Sequence, residues 1–162
     1  MASLTAWKFD TPDGAEQALK TVEDLAKQQL IVVQDAAVVS WPQGKKKPKT
    51  RQAQSLAAAG ALGGAFWGML FGLLFLVPFF GMAMGAAMGA LAGHFSDYGI
   101  SDDFIKQVRA KVTEGTSALF LLTEQATIDK VADAFKGTKM ELIQSNLSHE
   151  QEAQLKAAFG EE

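Results

Sequence analysis

The sequence predicts an α+β fold in which two ferredoxin-like βαβ halves flank an inserted, glycine-rich apolar helical hairpin. Residues 52–96 contain no Lys, Arg, Asp or Glu, whereas both flanks are charged. A strand, a polar turn and an amphipathic helix follow one another in Leu4 to Gln28, and the same order recurs in Ala118 to Phe135. Two such halves, each leading into a further strand, form a four-stranded antiparallel sheet with helices on one face.

The charge distribution divides the chain into three parts. Residues 1–51 hold eight basic and six acidic residues and form the N-terminal half of the α+β domain. Residues 52–96 form the hairpin, and residues 97–162, with seven basic and twelve acidic residues, form the C-terminal half. Neither flank is a strongly basic surface, so we expect no nucleic-acid partner. The absence of cysteine excludes disulfides and thiolate chemistry.

The N-terminal part predicts a strand, a helix and a second strand. Leu4 to Phe9 alternates as a strand does, and Thr11-Pro12-Asp13 is typical of a helix start with a capping Thr. Apolar residues then recur at helical spacing up to Ala26. A β-rich stretch covers Asp35 to Trp41. The basic segment after the following turn either pairs back as a hairpin strand or continues as a linker.

The C-terminal part predicts a helix followed by a second βαβ half. Ser101 is predicted to be the N-cap of a helix that ends at Gly115. A continuous apolar run is typical of a central strand, and it is followed by a helix that stops near Gly137. A strand from Met140 precedes a capping box in which Ser148 and Gln151 start a final helix.

Glycine recurs at every fourth position in two runs inside the uncharged part. Because 3.6 residues make a helical turn, each run forms a stripe without side chains along one helix face. In water each glycine costs a helix about 1 kcal/mol relative to alanine, whereas in lipid small residues at this spacing support close helix association. We therefore predict helix packing and homo-oligomerisation through these residues: Gly60, Gly64, Gly68, Gly72, Gly81, Gly85, Gly89 and Gly93.

The lengths of the two apolar segments are compatible with crossing a bilayer. Ser55 to Leu76 gives a helix of roughly 33 Å, and Phe79 to Phe95 one of roughly 25 Å, near the lower limit for a span. Pro78 marks the hairpin turn between them. The segment before the first helix is basic and predicts contact with lipid headgroups and a cytoplasmic position for both termini at the cytoplasmic membrane. Its residues are Lys45, Lys46, Lys47, Lys49 and Arg51.

Several alternatives remain open at this level. The hairpin could instead be buried in a soluble, closed homo-oligomeric assembly, and a channel or transport protein or a ligand-sensing module are further readings. Trp67, in the middle of the first helix, is expected to face lipid or a neighbouring copy. His94 and His149 have no sequence-local ligand partner, and no motif predicts a catalytic, cofactor-binding or metal-binding residue. We therefore expect a protein that is not an enzyme and needs no cofactor.

The segment AAAGALGGAFWGMLFGLLFLVPFFGMAMGAAMGALAGHFSDYGISDDFIKQV, followed by SALFLL, resembles a bacterial membrane-protein family catalogued as domain of unknown function 1269. SDYGISDDFIK is its most specific part, since glycine runs recur in unrelated glycine-zipper proteins. The likeness extends over nearly the whole chain, including AAVVSW. It implies a membrane protein with no assigned activity and no catalytic residues.

Overall fold

A computed structural model describes residues 2–46, 48–53, 64–76 and 95–159. Along the chain, one helix connects the first two strands and another connects the last two, as two βαβ halves require. Helix α2 continues directly into a π-helix over Gly72–Leu76. In chain order the elements are β1 (Ala2–Phe9), α1 (Gly14–Lys27), β2 (Val33–Ser40), β3 (Lys49–Gln52), α2 (Gly64–Phe71), α3 (Asp102–Lys111), β4 (Ser117–Glu124), α4 (Gln125–Ala134), β5 (Met140–Leu147) and α5 (His149–Phe159).

The strands form one five-stranded sheet in the order β3-β2-β4-β1-β5, and every neighbouring pair is antiparallel. Strand β4 is central, and β1 lies between β4 and β5, with Trp7 opposite Leu119 of β4 on one side and Leu142 of β5 on the other. The four strands of the two βαβ halves therefore lie in the order β5-β1-β4-β2, which confirms the predicted α+β fold.

The basic segment after β2 pairs back onto the sheet. Lys49 to Gln52 forms β3, which lies antiparallel to β2 with Arg51 opposite Val38. Of the two interpretations of this segment, the hairpin strand is confirmed and the linker is wrong. The sheet consequently has one strand more than the four that two βαβ halves supply.

One face of the sheet is covered by α1 and α4, as the two βαβ halves predict. Trp7 and Phe9 project from β1 to this face and meet Phe135 at the end of α4 edge to face, with ring centroids 5.5 and 5.7 Å apart. Leu19 and Val22 of α1 join the same cluster. These contacts hold the two helices in a single layer.

The opposite face is also covered, as the continuous apolar run of β4 predicts for a strand covered on both sides, although two βαβ halves by themselves place helices on one face only. Phe120 of β4 lies there beneath side chains of α2, and Phe104 and Val108 of α3 belong to the same buried cluster. The expectation of helices on one face only is therefore wrong. A strand such as β4, buried along nearly its whole length, needs an apolar layer on each side, and the insertion supplies part of the second layer.

The predicted helix starts differ in outcome. The Ser101 hydroxyl accepts a hydrogen bond from the Phe104 amide at 3.1 Å, and Ser148 and Gln151 form a reciprocal capping box. Thr11 does not cap α1. Its carbonyl instead accepts from the Gly14 amide and the Ser117 hydroxyl, and the helix begins two residues later than predicted, with Asp13 at the N-cap position.

Candidate functional site

Helix α2 is mounted on the sheet by its aromatic residues. Trp67 stacks on Phe71 with ring centroids 5.6 Å apart, and Phe71 meets Phe120 of β4 edge to face at 5.4 Å. Trp67 is only 3% exposed. The expectation that Trp67 faces lipid or a neighbouring copy is therefore wrong: an aromatic face at helical spacing packs as well against a sheet as against lipid, and the sequence alone does not distinguish the two.

A buried carboxylate fixes how α2 is turned on the sheet. Asp35 of β2 is fully buried and accepts hydrogen bonds from the Trp67 indole at 3.1 Å, the Gln52 amide at 3.2 Å and the Ala36 backbone amide at 2.8 Å. Donors are needed because an unsatisfied buried carboxylate is costly. The indole bond joins the apolar helix to the sheet at one defined rotation of the helix.

A second polar contact holds the other end of the same apolar segment. The Arg109 guanidinium of α3 donates to the Leu73 carbonyl through Nε at 3.1 Å and also through Nη2. Leu73 lies in the π-helix, where the wider turn changes the carbonyl pattern of the α-helix. Asp35 and Arg109 thus hold this segment at two points, Trp67 and Leu73. No sequence motif marks either residue for this role, although Asp35 is the sole charge in VVQDAAVVS.

Two glycines of the first run have open space beside them in the part of the chain that the structure describes. Gly68 is exposed and Gly72 half-buried, and a Cβ added at either would meet no described atom within 4 Å. Gly64 begins the helix. Among the described residues, therefore, α2 and the π-helix after it have a buried aromatic face and a face at Gly68 and Gly72 that no described side chain covers, which we call the glycine face. Outside the described residues lie Gly60, Gly81, Gly85, Gly89, Gly93 and the predicted turn at Pro78.

The basic residues that were predicted to contact headgroups lie in a turn and on the outer strand. Lys45, Lys46 and Lys49 are exposed, and Lys47 lies outside the described residues. Arg51 is also exposed, but its guanidinium pairs with Glu16 of α1 at 2.7 Å. An exposed pair of this kind contributes little to stability.

The basic turn lies beside the C-terminal end of the described apolar segment. The Trp41 indole donates to the Lys45 carbonyl at 2.9 Å, and its ring meets Phe75 edge to face at 6.0 Å. A straight span from Ser55 to Leu76 would instead place Phe75 on the far side of a bilayer from Lys45. Between Trp67 and Phe75, therefore, the apolar segment runs along β2 rather than away from the domain.

The remaining chemistry of the described residues is sparse. No cluster of three or more His, Asp or Glu side chains that could hold a metal occurs among them. His149 begins α5, and His94 lies outside the described part. Over the same residues, no helix combines the length and the apolar character that crossing a bilayer requires.

Comparison with known proteins adds a family but no activity. A family model described as "Protein of unknown function (DUF1269)" matches residues 61–160, so AAVVSW and the rest of the N-terminal half fall outside the match. No curated protein and no solved structure matches the chain.

Proposed function

The chain belongs to the DUF1269 family, whose description assigns no function, and we propose that it is a non-enzymatic, homo-oligomeric protein of the cytoplasmic membrane that assembles through its glycine face. The observation that carries this proposal is the space beside Gly68 of α2 and Gly72 of the π-helix, where an added Cβ would meet no described atom within 4 Å. The buried aromatic face holds the helix, and the glycine face is left for a second helix.

The physical basis is close backbone approach. A helix face without side chains lets another helix come near enough for extensive van der Waals contact, and this is a recognised basis of association in lipid. The second glycine run, Gly81 to Gly93, supplies a matching stripe in the sequence. In this proposal, the second run of one copy meets the glycine face of another without any added partner.

The membrane part of the proposal is supported by the sequence on either side of the described helix. Residues 52–96 have no charged side chain, and the exposed Lys45, Lys46 and Lys49 provide the cationic flank that favours anionic lipid. In this proposal both termini are cytoplasmic, and the partners are lipid and further copies of the chain.

A second candidate is a closed assembly in which protein, not lipid, covers the apolar insertion. The packing of Trp67 and Phe71 on the sheet favours it, because this part of the insertion is already covered by the chain's own domain. In this alternative the same glycine face joins the copies.

The assembly is tested by replacing Gly64 and Gly68 with Leu. The two branched side chains hold a partner helix away, so chemical cross-linking and native mass spectrometry should show loss of the oligomer. Ala157→Leu, at an exposed position of α5, is the matched control and should leave the oligomer intact. An unchanged assembly in the glycine double variant would refute the proposed interface.

Membrane fractionation with alkaline carbonate extraction separates the two candidates. Retention in the pellet supports the membrane protein, and release of an intact oligomer into the supernatant supports the closed assembly.

A further inference from the structure

The two outer strands of the sheet differ in their protection against pairing with another chain. Strand β3 has four residues and carries the exposed cations Lys49 and Arg51. Strand β5 has eight residues, pairs with β1 in an unbroken register and contains no Lys, Arg, Pro or Gly. Short length, positive charge, proline and bulges are the usual devices that keep an edge strand from pairing. β3 has two of these devices, and β5 has none.

Every second residue of β5 points its backbone amide and carbonyl away from β1, because these groups alternate between the two sides of an antiparallel strand. The Trp41 amide donates to the Thr116 carbonyl at the end of the β2–β4 pair, and the strand registers carry this alternation across the sheet. Within the described part of the chain, the outward groups of β5 have no backbone hydrogen-bond partner. They belong to Met140, Leu142, Gln144 and Asn146.

A loop closes one end of this edge. A Cβ added at Gly99 would lie 3.1 Å from the Asn146 carbonyl oxygen, and the Ser101 amide donates to the Ser145 hydroxyl at 3.0 Å. The part of the edge that the loop leaves free therefore runs from residue 140 to residue 144, and we call it the free edge. Leu142 lies at its centre and is 37% exposed.

The free edge fits an identical strand related to it by a two-fold axis. An axis at Leu142 places Leu142 opposite Leu142 of a second copy and Met140 opposite Gln144 of that copy, so outward amides meet outward carbonyls. The two exposed leucines then remove each other from water. The same register places Glu141 opposite Ile143, and Glu141 is already paired with the Lys111 ammonium at 2.9 Å. No like charges are therefore directly opposed.

We infer that the free edge of β5 pairs antiparallel with the free edge of a second copy and joins two five-stranded sheets into one continuous sheet. Residues directly opposite each other on neighbouring strands project to the same face. Both copies therefore carry α2 on the same side of the continuous sheet. This contact goes beyond the proposed glycine interface, because it uses β5 and not α2.

Single cysteines on the free edge test the pairing and its register. The full-length chain contains no other cysteine and is oxidised in detergent micelles. Leu142→Cys should give a disulfide-linked dimer, because directly opposite residues have Cα atoms about 5.5 Å apart, within disulfide range. Gln144→Cys is the matched control. It is exposed on the same edge but would lie roughly 14 Å along the strand from its equivalent, so it should give no linked dimer. Equal yields from the two variants, or none from Leu142→Cys, would overturn the inference.

The same experiment in the Gly64→Leu/Gly68→Leu variant separates this contact from the glycine interface. The larger assembly is lost in that variant if the proposed function is correct, but Leu142→Cys should still give the linked dimer. Loss of the linked dimer in this variant alone would show that β5 has no pairing of its own. A linked dimer in a variant whose assembly is unchanged would support the β5 contact and refute the glycine interface.

Amide hydrogen exchange tests the edge without a thiol. In the Gly64→Leu/Gly68→Leu variant, NMR should show that exchange at the Leu142 amide slows as the protein concentration rises, whereas the Ile143 amide, bonded to β1, is protected throughout. Adding Leu142→Lys should abolish the concentration dependence, since two lysines would then be opposed. Adding Leu30→Lys, a change at another exposed leucine, should preserve it. Protection of the Leu142 amide at every concentration would show that the chain itself covers the edge and would refute the pairing.

Discussion

Replacing Gly68 with alanine should change the stability of the monomer and of the assembly in opposite directions. In the single chain, a Cβ at Gly68 meets no described atom within 4 Å, so the substitution removes the entropic cost of a helical glycine without a clash. The expected gain is about 1 kcal/mol, which raises the melting temperature of a chain of this size by about 2–4 °C. In the assembly, the same methyl group lies between two helix backbones and weakens their contact.

The assay is thermal unfolding of wild type and variant in detergent at two protein concentrations, one giving monomer and one giving oligomer by sedimentation. Gly14→Ala is the control, because it also replaces a helical glycine but places its Cβ 2.5 Å from the Phe9 Cβ, and it should destabilise the chain at both concentrations. If Gly68→Ala destabilises the monomer, the glycine face is covered within the chain. A gain of equal size at both concentrations would show that copies do not meet there.

Three further substitutions probe the packing of α2 on the sheet and the Lys8–Asp10 ion pair. Trp67→Phe deprives buried Asp35 of the indole donor and should lower the free energy of unfolding by about 1–3 kcal/mol in urea denaturation. Trp41→Phe is the control and should lower it by less, because Trp41 bonds to an exposed carbonyl. Equal losses in the two variants would argue against the Asp35 contact. Phe71→Ala should cost about 3–5 kcal/mol by the same measurement, because its ring packs on Phe120, and an unaffected domain would mean that α2 does not lie on the sheet. The hydrogen bond and charge of Lys8 hold the pKa of Asp10 below its usual 3.8. This pair therefore stabilises the fold above about pH 4, and its contribution is lost as the pH falls through the lowered pKa. NMR titration should show a higher Asp10 pKa in Lys8→Gln, and an unchanged value would contradict the pairing.

The parts of the fold that follow local rules could be predicted from the sequence. Ser101 and the Ser148 and Gln151 pair satisfy helix amides within three residues, so their role depends on nothing distant. The repeated order of strand, turn and helix likewise predicted the two βαβ halves, because each element is recognised from the pattern of its own neighbouring residues. Thr11 failed because its carbonyl has a distant partner in Ser117, which no local pattern reveals.

The mounting of the apolar helix could not be predicted in this way. Hydrophobic periodicity indicates which residues of α2 are buried, but lipid, another copy and the chain's own sheet are equally good apolar surroundings for Trp67 and Phe71. Polar residues distinguish the sheet from the other two surroundings. Asp35 in an otherwise apolar strand needs donors, and Arg109 at the edge of an apolar helix face needs an acceptor. Both meet the insertion, and that pairing becomes visible only in three dimensions.

The chain lacks cysteine, so single-cysteine cross-linking in whole cells tests the two faces of α2 directly. Gly68→Cys places a thiol on the glycine face, and Leu70→Cys places one at a fully buried position towards the sheet. If the aromatic face holds α2 and the glycine face joins the copies, oxidation should produce a disulfide-linked dimer with Gly68→Cys and none with Leu70→Cys. Dimer formation through Leu70→Cys with no product from Gly68→Cys would contradict this arrangement.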